Sequence, residues 1–139
     1  MVQGEIFMLW NEKYETGNTQ VDDEHKEIFR LVETVVKATT NDETAVKGTI
    51  DFLANYTVNH FAHEESLMEE SAYPGMPIHK KQHSDFVTAV LALRERVLNE
   101  TDQEKNNADI EKVVVNWLID HVLGSDKLMA NHYRTWKEQ

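Results

Sequence analysis

Residues 50–77 read IDFLANYTVNHFAHEESLMEESAYPGMP, and the placement of apolar side chains in this stretch decides the fold. Ile50, Phe52, Leu53, Tyr56, Phe61, Leu67 and Met68 recur at spacings that draw a stripe down a helix, with no sustained alternation of the kind a strand requires. The pattern predicts a helix over 43–71, stopped by SAYPGMP, which holds both prolines of the chain. Upstream, Ile28, Phe29, Val32, Val35 and Val36 give a helix over 22–40, with Asp22 and Asp23 suited to its amino-terminal cap and dipole. Downstream, Pro77 suits a first helical turn, and Phe86, Val90, Leu93 and Val97 extend a helix over 77–98. The polar run NETDQEKNNAD reads as a surface loop, after which Ile110, Val113, Val114, Trp117, Leu118 and Leu128 give a fourth helix over 109–131. Rods of this length are about 30 Å long or slightly more, and short connections make neighbours antiparallel. The expected architecture is all-α: an up-down-up-down four-helix bundle, one domain over 1–139. Residues 1–21 form an arm pinned by Ile6, Phe7, Leu9 and Trp10.

Composition narrows the chemistry. The 139 residues suit one domain with its own core, and 40% hydrophobic with 28% charged residues is ordinary for a globular protein. No cysteine occurs, which excludes disulfides, thiolate metal sites and cysteine nucleophiles. A net charge of −11 with scattered Lys and Arg argues against nucleic acid or an anionic membrane surface as partner. The opening MVQGEIFMLWNEKYE has neither a basic lead nor a long apolar run, so a cytoplasmic protein without membrane insertion is expected.

The histidines fall on the stripes that should be buried. His25 precedes Ile28 and Phe29 by one turn; His60 follows Tyr56 by four; His79 and His83 lead to Phe86; His121 follows Trp117 by four. A four-residue step advances only about 40° around the axis, so His60 and Glu64 address one point from successive turns, as do His79 and His83. A single such histidine is ordinarily a hydrogen-bonded core or rim residue. Five imidazoles and two carboxylates in one core are another matter, because each unpartnered buried polar group costs about 1–3 kcal/mol. A metal centre removes that penalty, and these donors suit iron, zinc or manganese. Seven ligands exceed what one ion takes, so two ions bridged by carboxylates is the natural count. Metal-free histidine catalysis lacks a nucleophile, since Ser66, Ser71, Ser84 and Ser125 stand in no triad or elbow arrangement.

His25, the His60 and Glu64 pair, the His79 and His83 pair, and His121 with Asp126, in that order on four helices, resemble the hemerythrin family; a stand-alone domain of this length is similar to its bacterial members. The lead-in WNEKYETGN, the segment DDEHK, the HFAHEESLM run and the YPGMPIHKKQH turn belong to the same resemblance. It implies a non-haem di-iron centre. One iron would be held by His79, His83 and His121, the other by His25 and His60, with Glu64, Asp126 and an oxo or hydroxo ligand bridging them. The resemblance further implies reversible dioxygen binding, for transport, storage or delivery, at the open position of the iron with two histidines. It does not imply an enzyme. A dry pocket would protect that state, with Leu118 and Val122 as lining and Trp117 as a wall; plain core packing is the alternative for each.

Only the resemblance selects Glu64 over its neighbours. His63 is expected beside the site or on the helix flank, Glu65 in solvent, and His132 at the surface. Asp126 is awkward, because a five-residue step turns about 140° from His121 and Gly124 lies between, so a local distortion is expected. The competing functions are a di-iron oxidoreductase or peroxide-consuming enzyme, an oxygen or redox sensor acting through a separate partner, and a structural metal site or iron store. A monomer serving an oxygen-using client is the expected assembly.

Overall fold

The computed structural model describes residues 10–38, 43–99 and 103–139. Ile6, Phe7 and Leu9, expected to pin the arm, lie outside the described residues, as do positions 39 and 40 of the first expected helix and the side chain of Val36.

Helix α1 runs Thr19–Ala38. It starts three residues earlier than Asp22 because Asn18 supplies the cap, its Oδ1 accepting the Val21 N–H at 3.0 Å. Asp22, freed from that role, accepts the Thr16 N–H and hydroxyl at 2.9 and 2.8 Å and so ties the arm down. The arm is further held by Tyr14, buried edge-on against Phe29, and by Trp10, which is half-buried against the core. Helix α2 runs Glu43–Glu70. It ends with Tyr73 N–H returning to the Met68 carbonyl and Ala72 N–H to that of Glu69, a closure that leaves Ala72 at φ 54, where glycine is commoner. Helix α3 runs Met76–Asn99.

The fourth rod departs most from expectation. It consists of α4 (Gln103–Ile110), a π segment (Glu111–Val115), α5 (Asn116–His121), a second π segment (Val122–Asp126) and α6 (Lys127–Lys137). Residues 103–109 of the NETDQEKNNAD run are therefore helix and not loop, and Gln, Glu and Lys are good helix formers. At the other end the rod passes the expected stop near Asn131. Its last turns dock: Tyr133 Oη–H donates to Glu70 at 2.9 Å, and Arg134 donates to the Thr16 carbonyl at 3.4 Å. His132, expected at the surface, is half-buried and donates Nε2–H to the Ser71 carbonyl at 2.9 Å.

The α1–α2, α2–α3 and α3–fourth-rod pairs pack along the chain order, and the Glu111–Val115 segment returns to α1 to close a four-helix bundle. Cross-contacts show the antiparallel sense: Glu65 meets His83 while Asp51 meets Arg94, and Gln82 meets Ser125 while Arg96 meets Asp109. Ile28, Phe29, Leu53, Phe86, Leu93 and Leu118 are among the fully buried core residues, each stabilising the fold by about 1.5–3 kcal/mol. Two expected stripe members are not core: Phe52 is 57% exposed and Leu128 is 65% exposed. Phe52 sits beside the Leu53 line on α2. Leu128 is turned out by the π segment before it, which brings Met129 and Ala130 inward in its place.

Candidate metal centre

Each rod delivers its polar residues to one buried place toward the end of the bundle that holds the α2–α3 turn. α1 contributes His25, α2 His60 and Glu64, α3 His79 and His83, and the fourth rod His121 and Asp126; all seven are at most 5% exposed. The helical repeat accounts for six of them, since partners four apart share a face.

Asp126 needs the π segment. In a regular helix the residue one turn after His121 would be Ser125, whereas the i→i+5 repeat of a π turn brings the fifth residue round to the same face. Asp126 consequently points inward and Ser125 turns toward α3, where its hydroxyl donates to Gln82 Oε1 at 2.7 Å. This is the local distortion the sequence requires. Gly124 sits at its centre with no atom within 4 Å of where a Cβ would be.

The donor atoms form two overlapping groups within 4.8 Å: Glu64, His79, His83, His121 and Asp126 in one, His25, His60, Glu64 and Asp126 in the other. The carboxylates divide their oxygens between the groups. Glu64 Oε1 faces His79 Nε2 (3.4 Å) and His83 Nε2 (3.1 Å), and Oε2 faces His25 Nε2 (3.2 Å) and His60 Nε2 (2.8 Å). Asp126 Oδ1 lies 3.0 Å from both His79 and His121 Nε2, and Oδ2 lies 3.0 Å from His25 Nε2. Five imidazoles thus present Nε2 to the centre.

The outer nitrogens fix the tautomers. His60 Nδ1–H donates to Glu24 Oε1 at 2.7 Å, and His83 Nδ1–H to Glu65 Oε2 at 2.9 Å. With the proton held on Nδ1, the Nε2 lone pair of each ring faces inward as a ligand. Glu65, expected in solvent, is partly exposed and is also the partner of His83. Glu24 carried no expectation from the sequence; its one signal was the position next to His25 on α1. His63, expected at the flank, donates Nδ1–H to the same Glu24 oxygen at 3.0 Å. Burial alone would raise the Glu24 carboxyl, but hydrogen bonds from His60 and His63 outweigh it and hold the pKa below the usual value.

Without an ion the centre is badly satisfied. His60 Nε2, Glu64 Oε1, His79 Nε2 and Asp126 Oδ1 are buried and lack properly directed hydrogen bonds, and His83 and His121 bring two ring nitrogens within 3.2 Å of one another. Burial pushes His25, His60 and His79 down, yet the facing Glu64 and Asp126 carboxylates, joined at His60 by the hydrogen bond to Glu24, reverse this and hold them at about 9, 10 and 9. Burial likewise raises the two carboxyls, and the surrounding imidazoles pull both below their ordinary range. Protons are standing in for cations. The donor set, its orphaned inward atoms and the shared carboxylates fit a pair of divalent or trivalent ions.

Aromatic rings wall one side. Phe61 stacks on His83 with centroids 3.7 Å apart, and Trp117 stacks on His121 at 4.3 Å and on Phe86 at 4.2 Å. Trp117 therefore lies against the half with three histidines. Leu118 and Val122 are buried in the same core cluster.

Replacing Glu24 with alanine is expected to weaken metal binding by about 10–100-fold, the usual effect of losing a ligand's outer partner. Chelator competition measures it; an unchanged dissociation constant would show that Glu24 does not orient His60.

Comparison with known proteins agrees with this geometry. The family model described as Hemerythrin HHE cation binding domain matches residues 16–133. A bacteriohemerythrin of Stenotrophomonas maltophilia (strain R551-3) is 29% identical over 133 residues, 95% of this chain and 85% of the relative. A myohemerythrin of Theromyzon tessulatum is 29% identical over 117 residues, 84% of this chain and 86% of the relative. A crystal structure of wild-type hemerythrin superposes with a TM-score of 0.79 at 25% identity, covering 91% of this chain and 97% of that one.

Proposed function

Because the chain belongs to the family of hemerythrin HHE cation-binding domains, we propose that it binds dioxygen reversibly at a non-haem di-iron centre, as a carrier, store or delivery protein and not as an enzyme. The observation that carries this reading is the division of the Glu64 and Asp126 oxygens between two sets of histidines. His79, His83 and His121 would hold one iron and His25 and His60 the other, with both carboxylates and an oxo or hydroxo ligand shared. The two halves are unequal in protein donors, five against four, which favours the poorer half as the place where a further ligand would bind. When bound, the irons supply two exchangeable electrons and an open position for dioxygen.

The chain's own residues do the rest. Glu24 and Glu65 accept the Nδ1–H of His60 and His83, so each ring is oriented with Nε2 aimed inward. Buried Glu64 and Asp126 place two negative charges between the ion positions and offset the ions' mutual repulsion. Leu118 and Val122 keep water from the open side, which slows irreversible loss of the bound state. Trp117 supports this from the far half by clamping His121. The proposed setting is the cytoplasm, with the protein a monomer that gives up its dioxygen to a separate oxygen-using client. No helix among the described residues is long and apolar enough to cross a membrane.

Admitting air to the reduced, iron-loaded protein is expected to produce a ligand-to-iron charge-transfer colour that vanishes under vacuum and returns on re-exposure. Irreversible bleaching with substrate turnover would favour an oxidoreductase instead. Leu118→Asn is expected to hasten decay of the oxygenated form by about tenfold, equivalent to ~1.4 kcal/mol off the barrier. A decay rate equal to the parent's would remove Leu118 from the pocket.

A further inference from the structure

Thr57 is the feature that neither the fold nor the metal centre explains. It is 1% exposed, and its hydroxyl has no hydrogen-bond partner. Among the described residues, the only other buried side-chain atom without a partner outside the cluster of donors is Trp10 Nε1. Thr16, Asp22 and Ser71, the other buried polar residues beyond the cluster, all have partners. An unpartnered hydroxyl in a core is destabilising, and valine has nearly the same shape without that penalty.

Its position gives it a use. Neighbouring rods are antiparallel, so one turn past the centre in a single direction lie Ile28 beyond His25, Thr57 before His60, Phe86 beyond His83 and Leu118 before His121. All four are buried, and Thr57 alone is polar. Phe86 and Leu118 belong to rods that supply the three-histidine half, whereas Thr57 shares its helix with His60 and Ile28 with His25, so these two residues of the layer abut the half of the centre with two histidines. That half has fewer protein donors.

We propose that the Thr57 hydroxyl donates a hydrogen bond to a small accepting ligand, dioxygen or an anion such as azide, held against the two-histidine half. This deepens the di-iron reading and rests on it. The wall of the site is then not uniformly dry: one donor on α2 is aimed at the ligand while Ile28, Phe86 and Leu118 exclude water around it. The hydroxyl finds its partner only when the ligand arrives, which explains why it stands alone in the bundle itself.

Three proteins test this: the parent, Thr57→Val, which keeps the shape, and Thr57→Ser, which keeps the donor. Each is loaded with iron, and the oxidised form is titrated with azide by its optical band; the dissociation rate of dioxygen is read on the reduced form. Thr57→Val is expected to bind azide roughly three- to tenfold more weakly and to release dioxygen faster by a similar factor, the range one neutral hydrogen bond supplies. Thr57→Ser should stay within about twofold of the parent. A second readout needs no iron: the metal-free Thr57→Val protein should unfold at a higher temperature than the metal-free parent, because an unpartnered buried hydroxyl has been removed. Azide affinity and oxygen release equal to the parent's, in a variant that takes up two irons, would overturn the role of Thr57 and leave the di-iron reading intact. Tighter azide binding by Thr57→Val would also overturn it, since the hydroxyl would then hold a water that ligands must displace. A parent that takes up no iron would overturn both.

Discussion

Glu64→Ala is expected to leave the protein unable to retain iron in either half of the centre, whereas His60→Ala should keep roughly one ion per chain. The difference follows from which groups each residue joins. Glu64 belongs to both, with Oε1 turned to one set of histidines and Oε2 to the other; His60 belongs to the two-histidine group alone. Loss of Glu64 takes one donor from each half and also removes the negative charge that lies between two cations, so affinity should fall by more than the roughly 100-fold that marks the loss of an outer partner. Iron-to-protein ratios after anaerobic loading and desalting measure the result. Full retention by Glu64→Ala would show that this carboxylate is not shared. Equal depletion in both variants would show that the ions bind only as a pair, which the overlap of the two groups also allows.

Stripping the metal should cost the fold much of its stability at alkaline pH and far less near pH 6. In the metal-free protein His25, His60 and His79 are raised from 6.5 to about 9, 10 and 9. A raised base contributes stability that is complete below its unfolded value and disappears as pH climbs through the folded one, so this contribution is lost between about 6.5 and 10. Glu64 and Asp126 are shifted the other way, below ordinary values of 4.5 and 3.8, so their contribution is present above those values and is lost as pH falls. The metal-free protein is therefore most stable between about pH 4.5 and 6.5. Bound ions replace the protons, which abolishes the alkaline decline and transfers the sensitivity to acid, where protons compete for the ligands. At pH 9 and an ion concentration about 1,000 times the dissociation constant, loading should add about 4 kcal/mol, or roughly 10 °C in melting temperature. Melting curves at pH 6 and pH 9, with and without chelator, test this; a gap between loaded and stripped protein that does not widen with pH would contradict the proposed exchange of protons for metal.

How much of this was legible beforehand depended on periodicity. Where a face repeats regularly, as from His25 to Val35 or from His79 to Val97, spacing alone identified the buried line and put the histidines on it. The fourth rod broke the rule, because π turns add a residue per repeat and nothing in VLGSD except Gly124 advertises one. Asp126 was assigned to the centre by resemblance and against helical geometry; Leu128 was placed in the core by helical geometry and is in fact exposed. Both outcomes come from one turn. The partners on the far side of the rings were harder still. Glu24 and Glu65 are charged, partly exposed and adjacent to stronger candidates, and only coordinates show which nitrogen each one holds. Polar linkers misled in the opposite sense: NETDQEKNNAD looks like a loop because its side chains are hydrophilic, although residues 103–109 of it are helix.

The π segment also sets a limit on how this chain can vary. Were Val122–Asp126 to regularise to an α-helix at its present length, Asp126 would swing away from its neighbours by about a quarter of a revolution. A shared anion would vanish from the heart of the molecule, and Leu128 would turn inward in place of Met129 and Ala130. Spacing in these five positions is thus as much a part of the ligand set as the ligands themselves: a five-residue step needs the π turn, whereas a homologue with a four-residue step would keep its carboxylate on the same face without one.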